Sequence, residues 1–220
     1  MAISKNPGDA ALYTSRSNLV AVVSNGSAVL GLGNVGALAS KPVMEGKAVL
    51  FNQFANIDCF DIELNENDPK KLAEIIASLE PTFGAINLED IKAPDCFKVE
   101  ELCQRIMNIP VFHDDQHGTA IVVGAALLNA LRINGKQISE IKVVASGGGS
   151  AGIACLKMLV KLGCKKENIW LCDRNGLVST NKRGQGIHRE SFAQNSSLET
   201  LSDCIDGADL FLGVSVPDVL

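Results

Sequence analysis

Between Ile138 and Asp173 the chain reads strand, glycine turn, helix, strand and acid, an order that few folds accept. Ile141-Lys142-Val143-Val144-Ala145 is an apolar, β-branched run of strand length. Ser146 to Gly152 follows and fits GxGxxG at Gly147, Gly149 and Gly152. Ile153 to Leu162 has helical apolar spacing and stops at Gly163, a natural C-terminal residue for a helix. Asn168 to Cys172 is a second strand, closed by Asp173. Two strands joined through a helix form a parallel crossover unit. Glycines at those spacings allow a tight turn and let a pyrophosphate approach the helix N-terminus. Gly147, Gly149, Ser150, Ala151 and Gly152 are therefore candidate dinucleotide-binding residues. Asp173 is placed for a ribose 2′-hydroxyl, which favours NAD, whereas Arg174 beside it suits a 2′-phosphate and NADP. NAD and NADP both stay open.

Upstream the order is again strand, helix, strand, helix. Ile57 to Leu64 alternates with period two and reads as a strand. Asp68-Pro69 starts a helix to Leu79, with Asp68 as N-cap and Pro69 at the first helical position. Phe83 to Leu88 is a strand ending in Glu89-Asp90, and Phe97 to Met107 is a helix. Val111-Phe112-His113 is a strand, expected to run into a polar turn, Asp114-Asp115-Gln116-His117-Gly118-Thr119, before a helix from Ala120. Parallel connections of this kind bring all strand C-termini to one edge, where open α/β sheets keep their chemistry. One acidic pair at a strand end reads as a helix cap. Two pairs on successive strands point to a site for a hard divalent cation, Mg²⁺ or Mn²⁺.

A second GxGxxG occurs at Gly31, Gly33 and Gly36, after the strand Leu19 to Val23. No acid stands at the required distance, so it reads as a tight loop whose amides approach a ligand or a neighbouring segment. The helix beginning at Ala37 is expected to break at Pro42. Lys41 and Lys47 read as solvated lysines, although partial burial would lower a lysine's pKa toward general-base duty.

A net charge of -5 gives no reason to expect nucleic acid or an anionic membrane as partner. No run is apolar enough to span a bilayer, and the first residues lack a secretory core, so the cytoplasm is the expected location. The seven cysteines form no CxxC pair and read as buried free thiols. The tail offers one more strand, Leu210 to Val214, for at most four in the second domain against the usual six.

Five segments carry a family resemblance: SNGSAVLGLGNVGALASKPVMEGKAVLF, INLEDIKAP, VFHDDQHGTAIVV, VVASGGGSAGIACLKML and ADLFLGVSVPDVL. Together they resemble malic enzymes of the compact bacterial type. The resemblance implies an α/β fold in two parts, a parallel-sheet malate and metal domain over 1–133 and a partial Rossmann NAD(P)-binding domain over 134–220. It implies oxidative decarboxylation of (S)-malate to pyruvate and CO₂, with NAD or NADP and Mg²⁺ or Mn²⁺. Position by position, Glu89, Asp90 and Asp115 match the metal ligands, Asp114 a supporting acid and Lys47 the general base. A small-molecule substrate, malate, and a homo-oligomer, dimer or larger, are also implied. Three departures stand out. Tyr13, the one tyrosine, does not match the family's acid tyrosine in an AYSPG-like segment. Asn34 replaces a usual Asp. The family's later asparagine-rich segment is absent. The chain therefore reads as the middle of such an enzyme, with impaired turnover expected. The alternatives are a malolactic-type enzyme and a non-catalytic, nucleotide-binding or oligomerising fragment.

Overall fold

The computed structural model describes residues 1–182 and 184–220, which form two compact units, Met1–Asp114 and Asp115–Leu220. The first opens on two short helical turns, α1 (Ala2–Lys5) and α2 (Ala10–Tyr13). It continues as β1 (Leu19–Ser24), α3 (Ala37–Ala55), β2 (Asp58–Glu63), α4 (Pro69–Ser78), β3 (Ala85–Leu88), α5 (Asp95–Ile106) and β4 (Val111–His113). The strands form one parallel sheet in the order β2-β1-β3-β4, as the alternation of strands and helices required. β1 lies inside it with helices on both faces, which is why it reads as an unbroken apolar run. Leu19, Ala21 and Val23 join Leu72 and Ile76 of α4, and Val99 and Cys103 of α5, in the main core. On the other face α3 packs across β1 and β2.

Two sequence expectations are corrected here. α3 does not break at Pro42 but runs 19 residues through it. Proline forfeits one backbone bond and costs a helix interior about 3 kcal/mol. That local loss is outweighed because buried Ser40 and Met44 hold the helix on either side of Pro42. The second correction concerns the polar turn after β4, which does not exist. Helix α6 (Asp114–Asn134) starts directly at Asp114. Its buried residues Gln116, Ala120, Gly124, Leu127 and Leu131 carry the helical period back through the polar stretch. Carboxylates in a first helical turn also meet the positive end of the helix dipole. The cap on α4 is as expected: Asp68 Oδ1 accepts from Lys70 N and Lys71 N, both at 2.9 Å.

In the second unit α6 is followed by β5 (Val143–Ser146), α7 (Ser150–Lys161), β6 (Ile169–Asp173) and β7 (Gly176–Leu177). Two short helices, α8 (Ile187–Glu190) and α9 (Leu201–Ile205), then lead to β8 (Leu210–Gly213). The strand order is β7-β6-β5-β8, with β5 parallel to β6 and β8 and β7 antiparallel on β6. Two residues are too short for β7 to leave a pattern in the sequence. Six of the seven cysteines are buried free thiols; Cys59 is half-buried. Among the described residues no helix is long and apolar enough to cross a membrane.

Candidate active site

Lys47 lies on the sheet-facing side of α3. Met44 and Ser40, one and two turns before it, are both buried, so helical spacing turns Lys47 inward rather than to solvent. Its side chain is 24% exposed, against 43% for Lys41. Nζ lies 2.7 Å from Asp114 Oδ2 and 3.1 Å from Glu89 Oε2. Neither lysine is simply solvated, because Lys41 is also paired, with Asp61, Glu63 and Glu45. Those partners lie on other elements or an adjacent turn, so the lysines' own sequence neighbourhoods did not show the burial.

Glu89 and Asp90 follow β3 and are nearly buried, at 6% and 5% exposure. Asn87 Nδ2 donates to Glu89 Oε2 at 2.8 Å and fixes that side chain. Asp90 takes a left-handed backbone, φ 52°. Ala28 N donates to the Asp90 carbonyl at 2.9 Å, and the Leu30 backbone bonds its carboxylate. The first glycine loop thus folds over Asp90. Its own closure comes from Val35 N and Gly36 N, which donate to the Gly26 carbonyl at 3.1 and 3.0 Å. Of the two roles open to that loop in the sequence, contact with a neighbouring segment is therefore seen.

Asp115 stands beside Asp114 in the first turn of α6. Glu89, Asp90 and Asp115 each offer one oxygen, and the three lie within 4.8 Å of one another. An all-oxygen set of this kind fits a hard divalent cation. The electrostatics agree. Burial first, then the Glu89 charge, push the Asp90 carboxyl up to about 6. Burial by itself would lower the pKa of Lys47. The Asp114 hydrogen bond and the Glu89 and Asp114 charges outweigh it and hold Lys47 above its ordinary value. The cluster is therefore short of positive charge.

The second glycine turn is built differently. Gly147 has φ 118°, and a Cβ on it would lie 2.7 Å from the Val214 carbonyl oxygen. A Cβ on Gly152 would sit 1.9 Å from the Gly147 carbonyl oxygen, so the helix packs on the turn only because residue 152 is glycine. At Gly149 a Cβ would meet nothing within 4 Å. Ser150, Ala151 and Gly152 form the first turn of α7, where Gly149 supplies no side-chain cap. Open space before uncapped N–H groups fits a bound phosphate. Asp173 ends β6, and Arg174 beyond it is exposed. The arginine that reaches Asp173 is Arg189, unnoticed in the sequence, with Nη1 at 2.9 Å from Oδ2. It lies 16 residues further on, and no local motif marks it.

The family model for the malic enzyme N-terminal domain matches residues 8–104, and that for the malic enzyme NAD binding domain matches residues 116–214. The chain is 57% identical to the NADP-dependent malic enzyme of Haemophilus influenzae, over 99% of this chain and 29% of that protein. It is 58% identical to the NAD-dependent malic enzyme of Rhizobium meliloti, over 100% of this chain and 29% of that protein. The crystal structure of the NAD-dependent malic enzyme from Thermotoga maritima superposes with a TM-score of 0.94 at 48% identity, covering 100% of this chain and 59% of that one. The chain thus spans less than a third of the length of these two curated relatives. With two domain models of one family matched in sequence order, and a fold shared at 48% identity, this chain belongs to the malic enzyme family.

Proposed function

We propose that this chain carries the metal, malate and pyrophosphate sites of an enzyme that oxidatively decarboxylates (S)-malate to pyruvate and CO₂ with NAD or NADP. The observation that carries this reading is the set of three convergent carboxylates with a half-buried lysine against them. Glu89, Asp90 and Asp115 would hold Mg²⁺ or Mn²⁺. That cation supplies a positive charge to polarise the C2 oxygen of malate, stabilise enolate charge and oppose the ammonium form of Lys47. Lys47 Nζ takes the C2-hydroxyl proton, and a bound NAD⁺ or NADP⁺ would accept the C2 hydride, which leaves a 2-keto diacid with its ketone β to the C4 carboxylate. Its C3–C4 bond then breaks, C4 leaves as CO₂, and the electron pair moves onto the C2 oxygen as the enolate of pyruvate. Asp114, 2.7 Å from Nζ, orients Lys47. Gly147, Gly149 and the first turn of α7 would hold the pyrophosphate, and Asp173 would stand on the side of the adenosine ribose.

Assembly into dimers or larger belongs to the same reading. Its support is an apolar surface on the first unit, where Val49, Leu50, Phe54 and Phe60 are 47–78% exposed. Val49 and Phe60 also line an open cavity of about 600 Å³.

The test is malate-dependent reduction of NAD⁺ and NADP⁺ with Mn²⁺, wild type against Lys47→Ala. Loss of the base is expected to cost about 10²–10⁴-fold, with Mn²⁺ affinity kept, since a competing cation is removed. Turnover that survives Lys47→Ala would sink the role given to this lysine.

A further inference from the structure

We infer that Arg189 selects the nucleotide, and that its pairing with Asp173 makes the second glycine turn accept NADP at least as well as NAD. The inference rests on the dinucleotide reading of that turn. Family membership leaves the choice open, and Asp173 alone would favour NAD. Asp173 is not alone, however. Its Oδ2 accepts from Arg189 Nη1 at 2.9 Å and its Oδ1 from Asn175 N at 2.8 Å. Both carboxylate oxygens are already engaged, and the negative charge that would repel a 2′-phosphate is matched.

Arg189 is also tied to the turn itself, because its Nε donates to the Gly148 carbonyl at 2.9 Å. A Cβ on Gly148 would lie 2.8 Å from Nε, so glycine there gives the arginine its place. One guanidinium thus spans the glycine turn and the end of β6, the two elements that flank an adenosine ribose in this kind of fold. Two of its five N–H groups make these bonds, and the planar fork has further donors for phosphate oxygens. Its side chain is 37% exposed while that of Asp173 is 10% exposed, so an incoming phosphate meets the arginine before the carboxylate. Lys182 adds a second cation nearby, with Nζ on the Asn175 and Leu177 carbonyls at 2.9 and 3.1 Å.

Calorimetric titration of the 220-residue chain with NADP⁺, NAD⁺, 2′,5′-ADP and 5′-AMP tests this on wild type, Arg189→Ala and Arg189→Lys. Wild type is expected to bind NADP⁺ at least as tightly as NAD⁺, and 2′,5′-ADP more tightly than 5′-AMP. Arg189→Ala should weaken NADP⁺ about tenfold or more, the worth of a charged hydrogen bond, and NAD⁺ by less than about threefold. Arg189→Lys, which keeps the cation, should retain most NADP⁺ affinity. Equal weakening of both nucleotides would mark Arg189 as merely structural and overturn the inference. So would wild-type binding of NAD⁺ more than about tenfold tighter than NADP⁺. If Arg189→Ala melts early, the wild-type ratio and Arg189→Lys decide. A folded wild type that binds neither nucleotide overturns the dinucleotide reading and this inference together, whereas NAD⁺ binding without selectivity overturns only the inference.

Discussion

The strand ends of the two units solve opposite electrostatic problems. At the first, side chains do the work: Glu89 and Asp90 converge with Asp115, the residue that follows the unit's last, Asp114, and Lys47 lies against Glu89. In the second, the backbone does: Gly147, Gly149 and Gly152 clear space, and α7 begins without a side-chain cap. The contrast shows what each edge suits. Buried carboxylates repel one another and raise the Asp90 pKa, so that edge gains from a cation. Bare N–H groups at a helix start gain from an anion. The first edge is fragile in charge, the second in volume.

That difference is sharpest when each edge receives the change it tolerates least. Gly152→Ala drives a Cβ into a backbone oxygen. It is expected to destabilise the second unit by about 3 kcal/mol or more and to abolish nucleotide binding. Mn²⁺ binding should persist, which metal titration beside a thermal melt would show. If nucleotide still bound as in wild type, the turn would not be the cradle.

Asp90→Asn probes charge at nearly constant volume. The carboxyl is raised in the folded chain, so its contribution to stability is full below its ordinary value of 3.8 and lost as pH rises through about 6. The metal-free variant should therefore melt higher than wild type near pH 8 and alike below about pH 4, while binding Mn²⁺ about tenfold or more weakly. Melts in chelator across that range check the sign; a variant less stable than wild type near pH 8 would contradict it.

The smallest effect belongs to Arg174→Ala. This exposed residue should change the NADP⁺ to NAD⁺ affinity ratio by less than about twofold. A larger shift in titrations would return selectivity to the sequence-adjacent arginine and away from Arg189.

Much of this was legible in the sequence because it is local. Apolar runs, one period-two alternation and helical spacing marked every strand but β7 and the longer helices, Asp68-Pro69 marked a cap, and Gly147, Gly149 and Gly152 marked a turn. The acidic pairs at the ends of successive strands were visible for the same reason. Pro42 misled because a proline's cost is local whereas the packing that holds α3 together is not. Asp114-Asp115 misled because polar residues imitate a turn when their helix buries only one residue in four.

The sequence by itself determined the α/β class, the parallel crossovers between strands joined by helices and the residue types at the strand ends, since each follows from spacing along the chain. Only the tertiary structure decided which charges meet. Lys47 reaches Asp114 across 67 residues, and Asp173 pairs with Arg189 rather than with its own neighbour. Ion pairs depend on distance in space, and sequence separation carries no record of that distance until the strands are registered and the helices laid across them.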